Sequence, residues 1–208
     1  MTASDRIIGL YEENAAAWDR ERGRDLIEAT WLERFAALLP ARGSVLDIGC
    51  GMGEPIAGWL IARGFALTGI DSAPSLIAMA RERFPGEEWI VADMRALDLG
   101  RRFDGLIAWH SFFHLPPDDQ RPMFARFATH AKPGAPLIFT SGCSHGESVG
   151  AWQSEPLYHG SLAPADYRAL LAQNGFEVVA HAARDPDCGS ATIWLALRTG
   201  GKRKGPRP

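Results

Sequence analysis

The sequence predicts an α/β fold: a mostly parallel sheet with helices on both faces and an antiparallel last strand. Three observations predict it. From residue 44 onward, short apolar runs alternate with helix-patterned segments, the rhythm of consecutive βαβ units. The runs are continuously apolar, as burial on both faces of a sheet requires. The chain then closes on two apolar runs joined by a turn-rich link, which makes a hairpin and so reverses one strand.

The elements follow in order. Residues 5–21 and 25–39 carry apolar side chains at helical spacing (Ile7, Ile8, Tyr11; Leu26, Trp31, Leu32, Phe35, Leu38, Leu39) and end at Pro40 and Gly43. Val45–Ile48 is a first strand that runs into glycines. A helix over 55–63 closes at Gly64, and a second strand, Phe65–Ile70, ends at Asp71. A helix over 75–84 is stopped by Pro85 and Gly86. Two strands, Trp89–Ala92 and Phe103–Trp109, end at Asp93 and His110. The helix over 118–131 tolerates Pro122 if it begins at Pro117 or Asp118, because a proline in the first turn has no helical N–H to lose. Leu137–Thr140 is a fifth strand. A helix over 164–173 leads to strands Phe176–Ala180 and Thr192–Leu197, linked through Asp185, Pro186, Asp187 and Gly189.

Bulk properties narrow the function. A chain of 208 residues with 46% hydrophobic and 23% charged residues suits one soluble domain. No apolar run approaches the roughly 20 residues of a membrane span, and the N-terminus has no secretory pattern. Cys50, Cys143 and Cys188 are too scattered for a disulfide framework or a zinc knuckle, which fits a reducing cytoplasm. A net charge of −3 gives no field toward nucleic acid, and the basic stretch 200–208 reads as a disordered tail.

The chemistry centres on Asp47-Ile48-Gly49-Cys50-Gly51-Met52-Gly53, a glycine loop between strand and helix. Ligands of open parallel sheets bind at the carboxyl ends of such strands. The spacing is not that of a dinucleotide fingerprint, since Glu54 or Ile56 stands at its third position, and no nucleoside-triphosphate loop is present. Asp47 and Glu54 flank the place where a pyrophosphate would sit, so a cationic ligand is favoured over a phosphate. Asp71, with Ser72 beside it, ends the second strand, where a carboxylate accepts from both ribose hydroxyls. Asp93 ends the third, positioned for an adenine amino group, and Met94 can pack on the ring.

These stretches, VLDIGCGMGEP (45–55), LTGIDSAPSLIAMAR (67–81), VADM (91–94), FDGLIAWHSFFHL (103–115) and KPGAPLIFT (132–140), resemble the class I S-adenosylmethionine-dependent methyltransferases. The resemblance implies a Rossmann-like, seven-stranded sheet with the last strand reversed and S-adenosyl-L-methionine as cofactor. It implies Asp47, Gly49, Gly51 and Gly53 around the methionine part, Asp71 on the ribose and Asp93 near the adenine. It also makes the N-terminal Tyr11 and Trp18 an aromatic cap over the donor.

Methyl transfer needs alignment of the two reactants and exclusion of water more than it needs acid–base chemistry. The segment after the fourth strand should border the donor's reactive end, with Trp109 against the donor and His110 as the catalytic candidate, a neutral imidazole able to accept a proton. His110 and His114 lack the glutamate of a zinc-binding HExxH pair, so no metal is expected. Residues 141–162 form a long connection expected to be a substrate lid. His114, Trp152, Tyr158 and His159 are the substrate-side candidates. The expected layout is one domain: 1–43 as N-terminal helical cap, 44–140 as cofactor core, 141–162 as lid and 163–199 as helix and closing hairpin. The expected partner is a small methyl acceptor such as an organic acid, amine or phenol, with neither nucleic acid nor membrane. Two alternatives remain. One is a domain that binds S-adenosylmethionine or its product without turnover. The other is a serine hydrolase built on Gly142-Cys143-Ser144-His145-Gly146 with Asp166 and His181.

Overall fold

A computed structural model describes residues 2–200; the basic tail expected at 200–208 lies, from residue 201 on, outside the described residues. The chain begins with α1 (Ile7–Glu13), α2 (Ala15–Glu21) and α3 (Ala29–Ala36). It continues through β1 (Ser44–Ile48), α4 (Ile56–Ala62), β2 (Ala66–Asp71), α5 (Pro74–Arg83), β3 (Glu88–Val91) and β4 (Gly105–Ala108). It closes with α6 (Pro117–His130), β5 (Pro136–Ser141), β6 (Gly146–Trp152), β7 (Glu155–Ser161), α7 (Pro164–Gln173), β8 (Phe176–Asp185) and β9 (Ala191–Arg198).

Seven strands form one sheet in the order β3-β2-β1-β4-β5-β9-β8. β9 runs antiparallel to β5 and β8, and the remaining pairs are parallel. The expected reversed last strand is present. Neighbouring residues of each strand point to opposite faces, and the core divides accordingly. Leu46, Leu106, Phe139 and Trp194 pack with Phe124 and Phe127 of α6 and Tyr167 of α7. Val45, Ile107, Ile138 and Leu195 pack with Phe35 of α3, Leu60 of α4 and Ile77 of α5. Both faces are dry, which is why the strands read as unbroken apolar runs. Parallel pairing in register (Ile48 with Ile70, Asp71 with Val91) brings the carboxyl ends of β1, β2 and β3 to one rim.

Four local expectations are corrected. The helix expected over 5–21 is broken at Asn14, whose Nδ2 donates to the carbonyl of Leu10 at 2.9 Å and competes with the helical ladder. The helix expected over 25–39 is confined to Ala29–Ala36. α6 begins at Pro117, so Pro122 falls beyond the first turn; Asp118 and Pro122 are both exposed, and the carbonyl that loses its partner faces water. Residues 141–162 are not an irregular connection. β6 and β7 form a two-stranded hairpin whose turn residues Gln153 and Ser154 both have positive φ (52° and 63°). That is a two-residue turn of the kind that normally takes Asn-Gly; Gln-Ser carries no such signal.

The hairpin leans on the N-terminal helices. Trp152 Nε1 donates to Glu21 Oε2 at 2.8 Å, and Arg6 pairs with Glu155 at 2.8 Å. From the other side, Glu12 accepts from the N–H and hydroxyl of Ser75 at the start of α5. Thus α1 and α2 are fastened over the carboxyl rim from both flanks.

Candidate active site

A cleft enclosing about 1210 Å³ of empty space, its open mouth included, runs along the rim beneath α1 and α2. Thirteen of the residues expected from the sequence line it: Tyr11, Trp18, Asp47, Gly49, Gly51, Gly53, Asp71, Ser72, Asp93, Met94, Trp109, His110 and His114. Trp152, Tyr158 and His159 do not. Trp152 stacks on Tyr11 (ring centroids 5.5 Å apart) and packs edge-on to Trp18 (5.6 Å), so it buttresses the cleft from outside. Tyr158 is buried behind His114, and its carbonyl lies 2.8 Å from His114 Nδ1. His159 borders a second cleft of about 1000 Å³ between the hairpin and the β8–β9 turn, and His110 lines both clefts.

The glycine loop is forced by contact. Gly49 has φ +76°, and a Cβ there would fall 2.2 Å from Ser111 Cβ. Ser111 itself anchors the loop by donating to the carbonyl of Ile48 at 2.6 Å. Gly49→Ala is expected to cost at least about 2 kcal/mol through its left-handed backbone and the clash, lowering the melting temperature by roughly 4–8 °C; an unchanged melt would contradict this close approach.

The charges differ in their availability. Asp47 is 4% exposed, and no hydrogen bond contributes to the titration of its carboxyl. Burial, and next the Asp71 carboxylate, push its pKa up to about 7. Asp71 accepts from the N–H groups of Gly51 and Ala73, each at 2.9 Å, so it ties the glycine loop to the end of β2. Burial raises its pKa against the opposing pull of those bonds. Burial also pushes Asp93 up, but the Arg95 guanidinium that grips it more than offsets this and holds its pKa below the usual range. Glu54 corrects an expectation: it pairs with Arg24 Nε at 2.6 Å, so it offers no free charge at the loop. The anionic character comes from Asp47 and Asp71.

His110 sits at the end of β4 with φ +50°, its N–H bound to Thr140 Oγ1 at 2.9 Å. Solvent in the cleft reaches it, yet the surrounding walls, and next the Arg22 charge, push its pKa down to about 4. Burial does the same for His114, also to about 4. Both rings are therefore neutral at pH 7.

Sequence reasoning missed Arg22. It lines the cleft and pairs with the fully buried Glu28 at 2.5 Å. Nothing in the run Asp19–Arg24 distinguishes this arginine from its exposed neighbours. The hydrolase constellation does not form. Ser144 leads into β6 instead of a helix, Asp166 faces Arg121 at 3.6 Å, and His181 Nδ1 donates to the carbonyl of Ile193 at 2.9 Å.

With this geometry in hand, comparison decides the family: the family described as "Methyltransferase domain" matches residues 18–181. The chain belongs to this methyltransferase family. It is 29% identical over 186 residues to an O-methyltransferase of Aspergillus nomiae, covering 78% of this chain and 79% of that one. It is 29% identical over 166 residues to an O-methyltransferase of Pyrenophora dematioidea, covering 73% of this chain and 61% of that one. The fold matches magnesium protoporphyrin IX methyltransferase from Synechocystis with bound S-adenosylhomocysteine (TM-score 0.73, 17% identity, covering 95% of this chain and 100% of that one). The fold is that of the class I S-adenosylmethionine-dependent methyltransferases, as the sequence motifs implied.

Proposed function

We propose that this chain transfers the methyl group of S-adenosylmethionine to an oxygen or nitrogen of a small molecule by in-line displacement. The observation that carries the reading is Asp47, a buried carboxylate to whose titration no hydrogen bond contributes, set against the glycine loop in a cleft shaped for a ligand. A buried unpaired charge is costly, and a cationic group relieves it. Trp109 Nε1, buried and without a partner, is a second group left for a ligand.

S-adenosylmethionine supplies an electrophilic methyl on a sulfonium. Asp47 and the loop at Gly49, Gly51 and Gly53 hold its ammonium, and Arg22, which lines the cleft and whose charge acts on His110, takes its carboxylate. Asp71 and Ser72 receive the ribose hydroxyls on lone pairs not already given to backbone N–H groups. Asp93 and Met94 border the adenine, while Tyr11 and Trp18 close over the donor. The acceptor reaches the methyl past His110, where the two clefts meet, with His114 and His159 on its flank. The β6–β7 hairpin serves as lid, with Trp152 and Tyr158 backing it. The free thiols of Cys50, Cys143 and Cys188 support a cytoplasmic setting, and the net charge of −3 supports a small-molecule partner over nucleic acid. No helix of the described residues is long and apolar enough to cross a membrane.

His110 contacts the reacting partners as a neutral hydrogen-bonding ring and, with so low a pKa, is a weak base. The test is release of S-adenosylhomocysteine across a panel of small organic acids, amines and phenols. His110→Ala is expected to lower turnover about tenfold or more, as loss of one aligning contact does, with donor affinity within about twofold. Donor binding without turnover of any acceptor would favour a binding domain; an unaltered rate in His110→Ala would remove that residue from the reaction.

A further inference from the structure

Tyr11 and His114 come from opposite ends of the cleft's wall, one on the N-terminal helix α1 and one after β4, and their polar atoms meet. Tyr11 Oη lies 3.0 Å from His114 Nε2. The other ring nitrogen, Nδ1, lies 2.8 Å from the carbonyl oxygen of Tyr158 on β7. A carbonyl only accepts, so Nδ1 carries the hydrogen. The ring is 9% exposed with no carboxylate against it, which keeps it neutral, so Nε2 presents a lone pair. Tyr11 must then donate its single hydroxyl hydrogen to Nε2. What remains on Tyr11 is an oxygen with lone pairs and no hydrogen to offer. Stacking on Trp152 and edge contacts with Trp18 and His114 fix the phenol ring.

We infer that Tyr11 is a substrate-contacting residue that acts only as a hydrogen-bond acceptor, and that it selects methyl acceptors whose reacting atom bears a hydrogen, an alcohol, phenol or amine, over carboxylates. The reacting O–H or N–H donates to Tyr11 Oη, which turns a lone pair of the same atom toward the methyl. A carboxylate meets lone pair with lone pair and is turned away. His114 is the positioning residue: held in one tautomer by the hairpin's carbonyl, it takes the tyrosine's hydrogen. The hairpin thereby sets the hydrogen-bond sense of a group inside the cleft as well as covering it. This inference rests on the methyltransferase reading above, and the experiment separates the two.

Donor-side integrity is measured first, by calorimetric binding of S-adenosylhomocysteine; absence of binding would sink the methyltransferase reading and leave the tautomer question open to the next measurement. Nitrogen-15 NMR of the free protein is then expected to show His114 protonated at Nδ1 alone between pH 6 and 8. Protonation at Nε2 would overturn the inference. Finally, phenol and benzoate are titrated into the S-adenosylhomocysteine-loaded protein. The wild type is expected to bind phenol at least tenfold more tightly. Tyr11→Phe is expected to lose that preference, as is His114→Asn, which keeps a donor for the Tyr158 carbonyl but takes away the acceptor for Tyr11. His114→Gln, which can place an amide oxygen near Nε2, is expected to retain it. Equal affinity for the two probes in the wild type, or a preference that survives Tyr11→Phe, would overturn the inference.

Discussion

Replacing Asp71 by alanine is expected to weaken S-adenosylmethionine binding about 100-fold, close to 2.7 kcal/mol. The magnitude follows from what the carboxylate does before any ligand arrives. Its two oxygens accept from Gly51 and Ala73, and the first of these bonds holds the glycine loop against β2. Removing the side chain strands two backbone N–H groups in a half-buried site, at about 1–3 kcal/mol for each group left unpaired, and removes the acceptor proposed for the ribose hydroxyls. Asp71→Asn keeps one acceptor oxygen and is expected to fall between, at roughly tenfold. Calorimetric affinity, with circular dichroism to verify the fold, decides the matter. An alanine variant binding within threefold of wild type would show that Asp71 serves the fold alone.

The second large effect is a pH dependence that belongs to Asp47. Burial, and next the Asp71 carboxylate, push its pKa up to about 7, so its charge changes across the neutral range. A cationic donor is attracted to the ionised form, so binding releases a proton and weakens as pH falls. Between pH 8 and pH 6 the apparent affinity is expected to drop about tenfold, since the ionised fraction falls by that factor. Asp47→Asn is expected to bind as weakly as the wild type at low pH and to show no such slope. Stability runs the opposite way. A carboxyl whose pKa is raised by folding binds its proton more tightly folded than unfolded, so stability is lost as pH rises from about 4 through about 7. The free Asp47→Asn protein should therefore melt higher than wild type at pH 8 and show little difference at pH 4. Calorimetry in buffers of different ionisation enthalpy measures the proton release; affinity independent of pH in the wild type would refute the role of Asp47.

Much of the site was legible because it lies on strand ends. An apolar run followed by Asp or by glycine marks both the strand and the rim where its last residue faces a ligand, so Asp47, Asp71, Asp93 and His110 could be placed together without coordinates. The hairpin at 146–161 was not legible as strands. β6 is exposed along nearly its whole length, so no buried face imposes a two-residue alternation, and its turn lacks the usual residues. Glu54 shows a different limit. Its charge looked available in the sequence and is spent on Arg24, thirty positions away, a pairing that only chain folding arranges.

The sequence by itself determined the layered sheet, the position of the glycine loop and the row of acids, because each depends on local pattern: which residues bury, which turn, which end a strand. Tertiary structure alone decided which charges stay free, that Arg22 and Glu28 meet at the cleft, and that Tyr11, His114 and the Tyr158 carbonyl form one chain of hydrogen bonds. Those contacts join segments more than forty residues apart in all but the Arg22–Glu28 pair. Hydrogen-bond sense and charge pairing depend on ångström distances between such segments, and no periodicity along the chain encodes them.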